Sequence, residues 1–461
     1  MNLRTRLARQ VQTTVSELGI VNLLAPDYPF SPRAVPVFYG WVILAVATIG
    51  ILMSIPGQTA GVSVFTDPLL EALGISRLTL SNAYLMGTLT SGLLLPLGGT
   101  LIDRLGARVM VILASLWLAG TLCYLSLSDR LAQLLTALIP VLPDSAVALT
   151  LLMIGFTSLR FSGQGMLTLV SRTMLGKWFN RRRGFASGTS GIFTAFGFSA
   201  APLILSLLID AFSWRGAWLV LAAVVGTGMG LIGWLFYRDN PEACGLEMDG
   251  LRTQQPAADG SQFPVPPQMH EFTRGEALRT LAFWGVTLAL STQALTITGI
   301  TFHIVDIGAT VGLPERQIVA IFLPIAIFST VVGYLIGIAS DRMHLKTLFL
   351  GMMVFEAIGV ASMAHLGTGW VWGLAIVGLG VSGGCFGTLA AVALPRYFGR
   401  LHLGSISGIQ MMSMVIASAI GPSLLAAFKE VFASYQIGLY VAASLPLMVF
   451  VLLLFMRNPQ R

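Results

Sequence analysis

Charge is scarce in this chain. Asp, Glu, Lys and Arg make up 10% of its 461 residues, and hydrophobic residues 55%. That balance excludes an ordinary soluble domain with a charged surface. Cysteine is rarer still. Cys123 and Cys385 lie inside apolar segments and Cys244 in a polar one. Three such residues give no pairing framework and no metal spacing. There is no Gly-rich phosphate loop closing on Lys-Ser/Thr, so the sequence offers no ATP site. No Ser–His–Asp set stands out. Neither an enzyme nor a bound cofactor is expected.

Long apolar runs are what the chain has. Its mean hydropathy is +0.81. Many runs reach the roughly 20 residues that cross a ~30 Å hydrocarbon core. Such runs must be helical, because only a helix satisfies its own backbone where water is absent. Twelve spans can be drawn, at 38–62, 81–101, 107–128, 146–169, 184–208, 216–237, 281–304, 317–338, 347–366, 371–392, 403–428 and 436–456. The expected architecture is an all-α polytopic membrane protein. Residues 1–37 precede the first span, 38–237 form a first six-helix bundle, 238–280 a linker, 281–456 a second bundle and 457–461 a tail. The linker is too rich in Pro, Gly and Gln to bury a core. Helix resumes at Thr273 and Glu276, which have capping-box spacing.

With both termini inside, the inner segments hold 21 of the 27 Lys and Arg. Arg77, Arg130, Arg215, Arg316 and Lys429 fall outside, and Arg160 falls within a span. This bias sets topology in an inner or plasma membrane. It accounts for the net charge of +7 without a nucleic-acid partner. Residues 1–37 show no signal-peptide pattern. Leu3, Leu7, Val11, Val15 and Leu18 recur at helical spacing opposite Arg4, Arg6 and Arg9, as in a helix lying on an anionic bilayer surface.

The two halves repeat. Gly99, Asp103, Arg104 and Arg108 match Gly337, Asp341, Arg342 and Lys346 at a shift of 238. Gly188 and Pro202 match Gly408 and Pro422 at a shift of 220. The difference locates an insertion at 129–144, on the outer side between spans 3 and 4, with the Leu spacing of an interfacial helical turn that either packs there or forms a lid.

Two six-helix halves, a middle linker and the run Gly99, Leu101, Asp103, Arg104, Gly106, Arg108 after span 2 resemble the major facilitator superfamily. "WFNRRRGFASGTSG" and "RDNPEACGLEMDG" resemble its monocarboxylate and oxalate–formate branch. The resemblance implies secondary transport by rocking of the halves about a midplane site. It implies carboxylate cargo moving with protons or in exchange, and a monomer. It also implies a gate, in which Gly99 lets helix 2 approach helix 11. There Asp103 meets a helix N-terminus and pairs with a cation, Arg172, beside Arg104, Gly106 and Arg108. Gly337, Asp341, Arg342 and Lys346 would act likewise between helices 8 and 5. Carriers of this branch are expected to hold a buried cation on helix 1, 8 or 11; none of those spans contains one.

Arg160 is therefore the first candidate for cargo, since an Arg within a span needs a cavity or a partner. Gln164, Gln58, Gln293, Thr296, Gln410 and Ser413 are polar groups on cavity-lining helices that suit a small solute. Glu356 is an acid at the centre of a span and suits proton carriage, as do His303 and Asp306 near the outer end of span 7. Pro56, Pro202, Pro324 and Pro422 give hinges or fixed kinks. The reading is a carrier of a small organic anion. The alternatives are proton-driven efflux of amphipathic compounds and a non-transporting sensor or assembly factor on the same fold.

Overall fold

The computed structural model describes residues 23–138, 143–250, 270–366 and 369–460. The surface helix expected at the extreme N-terminus lies outside them. The described residues form twelve long helices and no strand. Helix α1 runs Gly40–Ser63, with its helical path broken around Pro56, which has no N–H to donate. A 50-residue helical stretch, Arg77–Ser126, would be ~75 Å long if straight, more than twice the apolar core. It breaks at Gly106 (φ 82°) into α2 (77–105) and α3 (107–126). Helix α4 is Asp144–Trp178. The stretch Arg183–Phe236 likewise breaks at Ser213 (φ 61°) into α5 (183–212) and α6 (214–236). The second half follows as α7 (Leu281–Thr310), α8 (Phe322–Arg342), α9 (Leu345–Met363), α10 (Gly369–Phe398), α11 (Leu403–Phe432) and α12 (Tyr435–Phe455).

Each expected span coincides with one helix. The largest discrepancy is α4, expected to end near 169 and continuing to Trp178. Arg172 and Lys177 end the apolar run without ending the helix, because α10 and α11 shield that last stretch. Large apolar side chains such as Leu97, Leu203, Leu323 and Met448 are exposed, as a surface solvated by lipid requires.

The halves meet along α2 with α11 and α5 with α8. Both seams need bare backbone. A Cβ on Gly99 would come within 2.1 Å of the Gly404 carbonyl oxygen, and one on Gly184 within 2.0 Å of that of Gly337. Hydrogen bonds between the halves gather at one end of the bundle, which carries Asp103, Arg181, Asp341 and Arg400 and is called the basic end below.

The linker's described ends are tied down more firmly than its composition suggests. Asp239 accepts the Arg108 amide at 3.0 Å. Asp249 accepts the amides of Asn180, Arg181 and Arg182, and Glu271 those of Arg400 and Leu401. The capping box forms, with Thr273 accepting from Glu276 and Glu276 from Thr273. The insertion contains a helix, Ser128–Leu138, anchored to the start of α6 by an ion pair from Asp129 to Arg215. That anchor makes it a packed segment rather than a lid.

Candidate functional site

At the basic end, Asp103 on α2 accepts the amides of Gly404 and Ser405 at 2.8 and 2.7 Å. Asp341 on α8 accepts those of Gly184 and Phe185 at 2.7 and 3.0 Å. Each carboxylate thus sits at the N-terminus of a helix from the other half, where free N–H groups and the helix dipole favour an anion. The expected partner of Asp103 needs correcting. Its two oxygens are taken by backbone amides, and Arg172 does not reach it. Arg104 and Arg342 are exposed and form no ion pair among the described residues. Gly106 supplies the left-handed turn, where a Cβ would strike the Asp239 carboxylate at 2.3 Å. Arg108 is buried within its own half, donating to Trp234, Ala25 and Tyr28 carbonyls. Lys346 donates to the carbonyls of Leu454 and Met456.

Two cavities lie just beyond these contacts. The larger, of 200 Å³, is lined by α1, α4, α5, α8 and α10, with Ser190, Thr194, Ser329, Tyr334 and Thr388 among its polar groups. The smaller, of 30 Å³, lies between α4, α10 and α11 and includes Gln410 and Ser407. Arg172 lines both. No Asp or Glu lines either. Arg172 makes no hydrogen bond and no ion pair among the described residues. The buried Nε2 of Gln410 is also without a partner. The site therefore offers one unpaired guanidinium among hydroxyls at the seam of the two halves. That donor set suits a single carboxylate carrying small polar groups.

The remaining candidates are placed elsewhere. Arg160 is buried and lines neither cavity. It donates to the Gly57 carbonyl at 3.1 Å and Thr59 Oγ1 at 3.4 Å, and lies 5.3 Å from the Tyr84 ring centroid. Its role in this structure is to hold the break in α1, whose Gly57 packs on Gly163 in the π-helical turn Arg160–Leu167. Gln58 donates to Ser54 within the same break. Gln164 lies on that turn and lines neither cavity, and Ser413 bonds its own helix at Ile409. Gln293 is buried on α7, outside both cavities. Thr296 instead donates to Glu356 at 2.9 Å. Glu356 is fully buried between α7, α9 and α10, with Ser382 as its second partner at 3.4 Å. His303 and Asp306 are joined through Tyr435, which donates to Asp306 at 2.6 Å and lies 3.1 Å from His303 Nδ1. His303 Nε2 meets the Pro422 carbonyl at 2.9 Å. This cluster ties α7, α11 and α12 at the end opposite the basic end.

Sequence reasoning missed Arg400, which donates to the Lys177 carbonyl of the other half at 2.7 Å and pairs with Glu242 of the linker at 2.9 Å. It lies at the site matching Arg181 under the 219-residue shift of "WF" to "YF", and that repeat was the available signal.

A sequence model of the Major Facilitator Superfamily matches residues 42–422. The chain is 26% identical over 427 residues to monocarboxylate transporter 3 of Rattus norvegicus, covering 88% of this chain and 77% of that protein. It is 22% identical over 245 residues to the oxalate:formate antiporter of Oxalobacter formigenes, 53% of this chain and 50% of the antiporter. Among solved structures, the human organic anion transporter MFSD10 (TETRAN) superposes with a TM-score of 0.59 at 15% identity, over 90% of this chain and 99% of that one. The E. coli fucose:proton symporter FucP gives 0.61 at 11% identity, over 90% and 98%. At such identities the structural likeness speaks for the fold.

Proposed function

The chain belongs to the major facilitator superfamily of membrane transporters, and from that premise we propose that it exchanges small organic monocarboxylates by alternating access. Arg172 is the observation that carries this reading: an unpaired cation in a cavity shared by both halves. Its position answers the missing cation on helices 1, 8 and 11. The carboxylate-carrying relatives agree with it in chemistry.

The same charge explains exchange. Rocking the halves must close the cavity around Arg172. Shutting a lone cation away from water costs several kcal/mol, and a bound carboxylate offsets that cost. The loaded carrier then reorients readily and the unloaded one does not, which is obligatory exchange. With the basic end shut, this conformation faces the opposite side. The Lys and Arg bias supports both termini on the cytoplasmic side of an inner or plasma membrane, and the reading takes the carrier to be a monomer.

A second reading, symport with protons, draws on Glu356. Its carboxyl has two hydroxyl partners and no cation, so it is a candidate proton carrier. Thermal unfolding of the purified protein with lactate, formate or oxalate separates cargo from bystander. One carboxylate should raise the midpoint in the wild type and not in Arg172→Gln. A midpoint raised by neutral sugars instead would reject the anion reading.

A further inference from the structure

The repeat allows a comparison of the two halves at their basic ends. In the first half, Arg108 and Arg238 face the turn after α2 and the end of α6. The chain's own segment before α1 fills that corner with carbonyl oxygens. Arg108 takes those of Ala25 and Tyr28 at 2.8 and 2.7 Å. Arg238 takes those of Pro26 and Tyr28 at 2.6 and 3.0 Å. Shifts of 238 and 219 map Arg108, Lys177 and Arg238 onto Lys346, Arg396 and Arg457. These three, with His344, Tyr397 and Asn458, line a cavity of 560 Å³ in the second half.

The second corner is chemically different. No segment of the described residues fills it with carbonyls. Lys346 and Arg396 keep some local partners, the carbonyls of Leu454, Met456 and Ser340. The side chains of Arg457 and His344 make no hydrogen bond or ion pair among the described residues. Among the described residues, no Asp or Glu lines the cavity. The N-terminal turn of α9, residues Leu345, Lys346 and Thr347, adds the positive end of a helix dipole. Exposed Met343 and Phe455 flank it in sequence, each next to a lining residue.

We propose that this cavity binds a phosphate group. Three basic side chains, of which Arg457 is unpaired among the described residues, and a helix N-terminus, with no carboxylate in the described lining, form a cradle of the kind that holds phosphate oxygens. The flanking apolar residues make an anionic lipid headgroup the favoured source, with free phosphate the other. Such a lipid pins α12 to the α8–α9 turn, as the N-terminal segment pins α6 to the α2–α3 turn. This site is separate from the cargo cavity, so its failure leaves the transport reading untouched.

The test is native mass spectrometry of the full chain in detergent with added dioleoyl-phosphatidylglycerol, alongside thermal unfolding in inorganic phosphate. Arg457→Gln removes a cation that holds no structural bond, so its midpoint without additives should match the wild type. Retention of phosphatidylglycerol should fall roughly fivefold for this one cation, and further in the double variant with His344→Asn. Loss of a phosphate-induced midpoint shift, with lipid retention unaltered, would uphold the site with a soluble anion as its source. Wild type and variants alike toward both probes would overturn the proposal.

Discussion

The Asp103 carboxylate accepts the Gly404 amide at 2.8 Å, across 301 residues of sequence and the seam between the two halves. Asp341 holds Gly184 in the mirrored arrangement at 2.7 Å. Both bonds must break before the basic end opens. Charge-assisted hydrogen bonds contribute about 1.5–3 kcal/mol each, so these two clasps bias the carrier toward the state seen here.

Asp103→Asn keeps the shape and removes the charge. Losing about 1.5 kcal/mol of clasp should raise the open-end population roughly tenfold. A Ser407→Cys probe on α11, in the small cavity beside the gate, should label faster from the basic end. Cys123, the exposed thiol among the three, is replaced by Ser in this background, while Cys385 is buried and burial pushes the Cys244 thiol up to about 11. Unchanged labelling would remove Asp103 from the gate.

Gly99→Ala tests the same seam sterically. Its Cβ would meet backbone, not a flexible side chain. The variant should also label faster at position 407. Combined with Asp103→Asn it should add less than the sum, since both act on one interface. Full additivity would place the two effects on different steps.

The two arginines of α4, Arg160 and Arg172, should separate cleanly. Arg160→Gln strips two hydrogen bonds and an aromatic contact from the break in α1, and should cost about 2 kcal/mol of stability. Arg172→Gln removes an unpaired charge and should leave the unfolding midpoint equal or higher, while abolishing anion-dependent stabilisation. The reverse pattern would return Arg160 to the cargo site.

The Asp129–Arg215 pair carries a pH signature. Burial alone would raise the Asp129 carboxyl, but the Arg215 hydrogen bond and charge outweigh it and hold it below its ordinary value. Its stabilisation is therefore present above the unfolded pKa of ~4 and lost as pH falls through the lower folded value. Arg215 is over a third exposed, which limits the pair to ~1 kcal/mol. Asp129→Asn should lower the unfolding midpoint at pH 6 and converge with the wild type in strong acid. A constant difference across pH would point to packing.

The membrane helices were readable because bilayer thickness leaves few ways to arrange long apolar runs. The seam carboxylates were readable because Asp103 recurs at Asp341 in the same run of residues. Their partners were only half readable. The helix N-terminus was expected for Asp103 and is found, but a cation was sought beside it where backbone amides suffice. Arg172 was misjudged for a related reason. Just past the expected end of span 4 it reads as the cation for Asp103, and only the continuation of α4 past 169 carries it to the cavities. Arg160 misled in the opposite direction. A lone Arg in a span suggests cargo, yet its partner is a carbonyl left free by the break around Pro56, 103 residues away.

Counterflow in proteoliposomes tests the central claim most directly. Vesicles loaded with unlabelled carboxylate take up labelled carboxylate only if one binding site exchanges them. The wild type should accumulate label when loaded and not when empty, Arg172→Lys should retain part of this flux, and Arg172→Gln none. Equal uptake by loaded and empty vesicles, or full counterflow in Arg172→Gln, would contradict exchange through this cation.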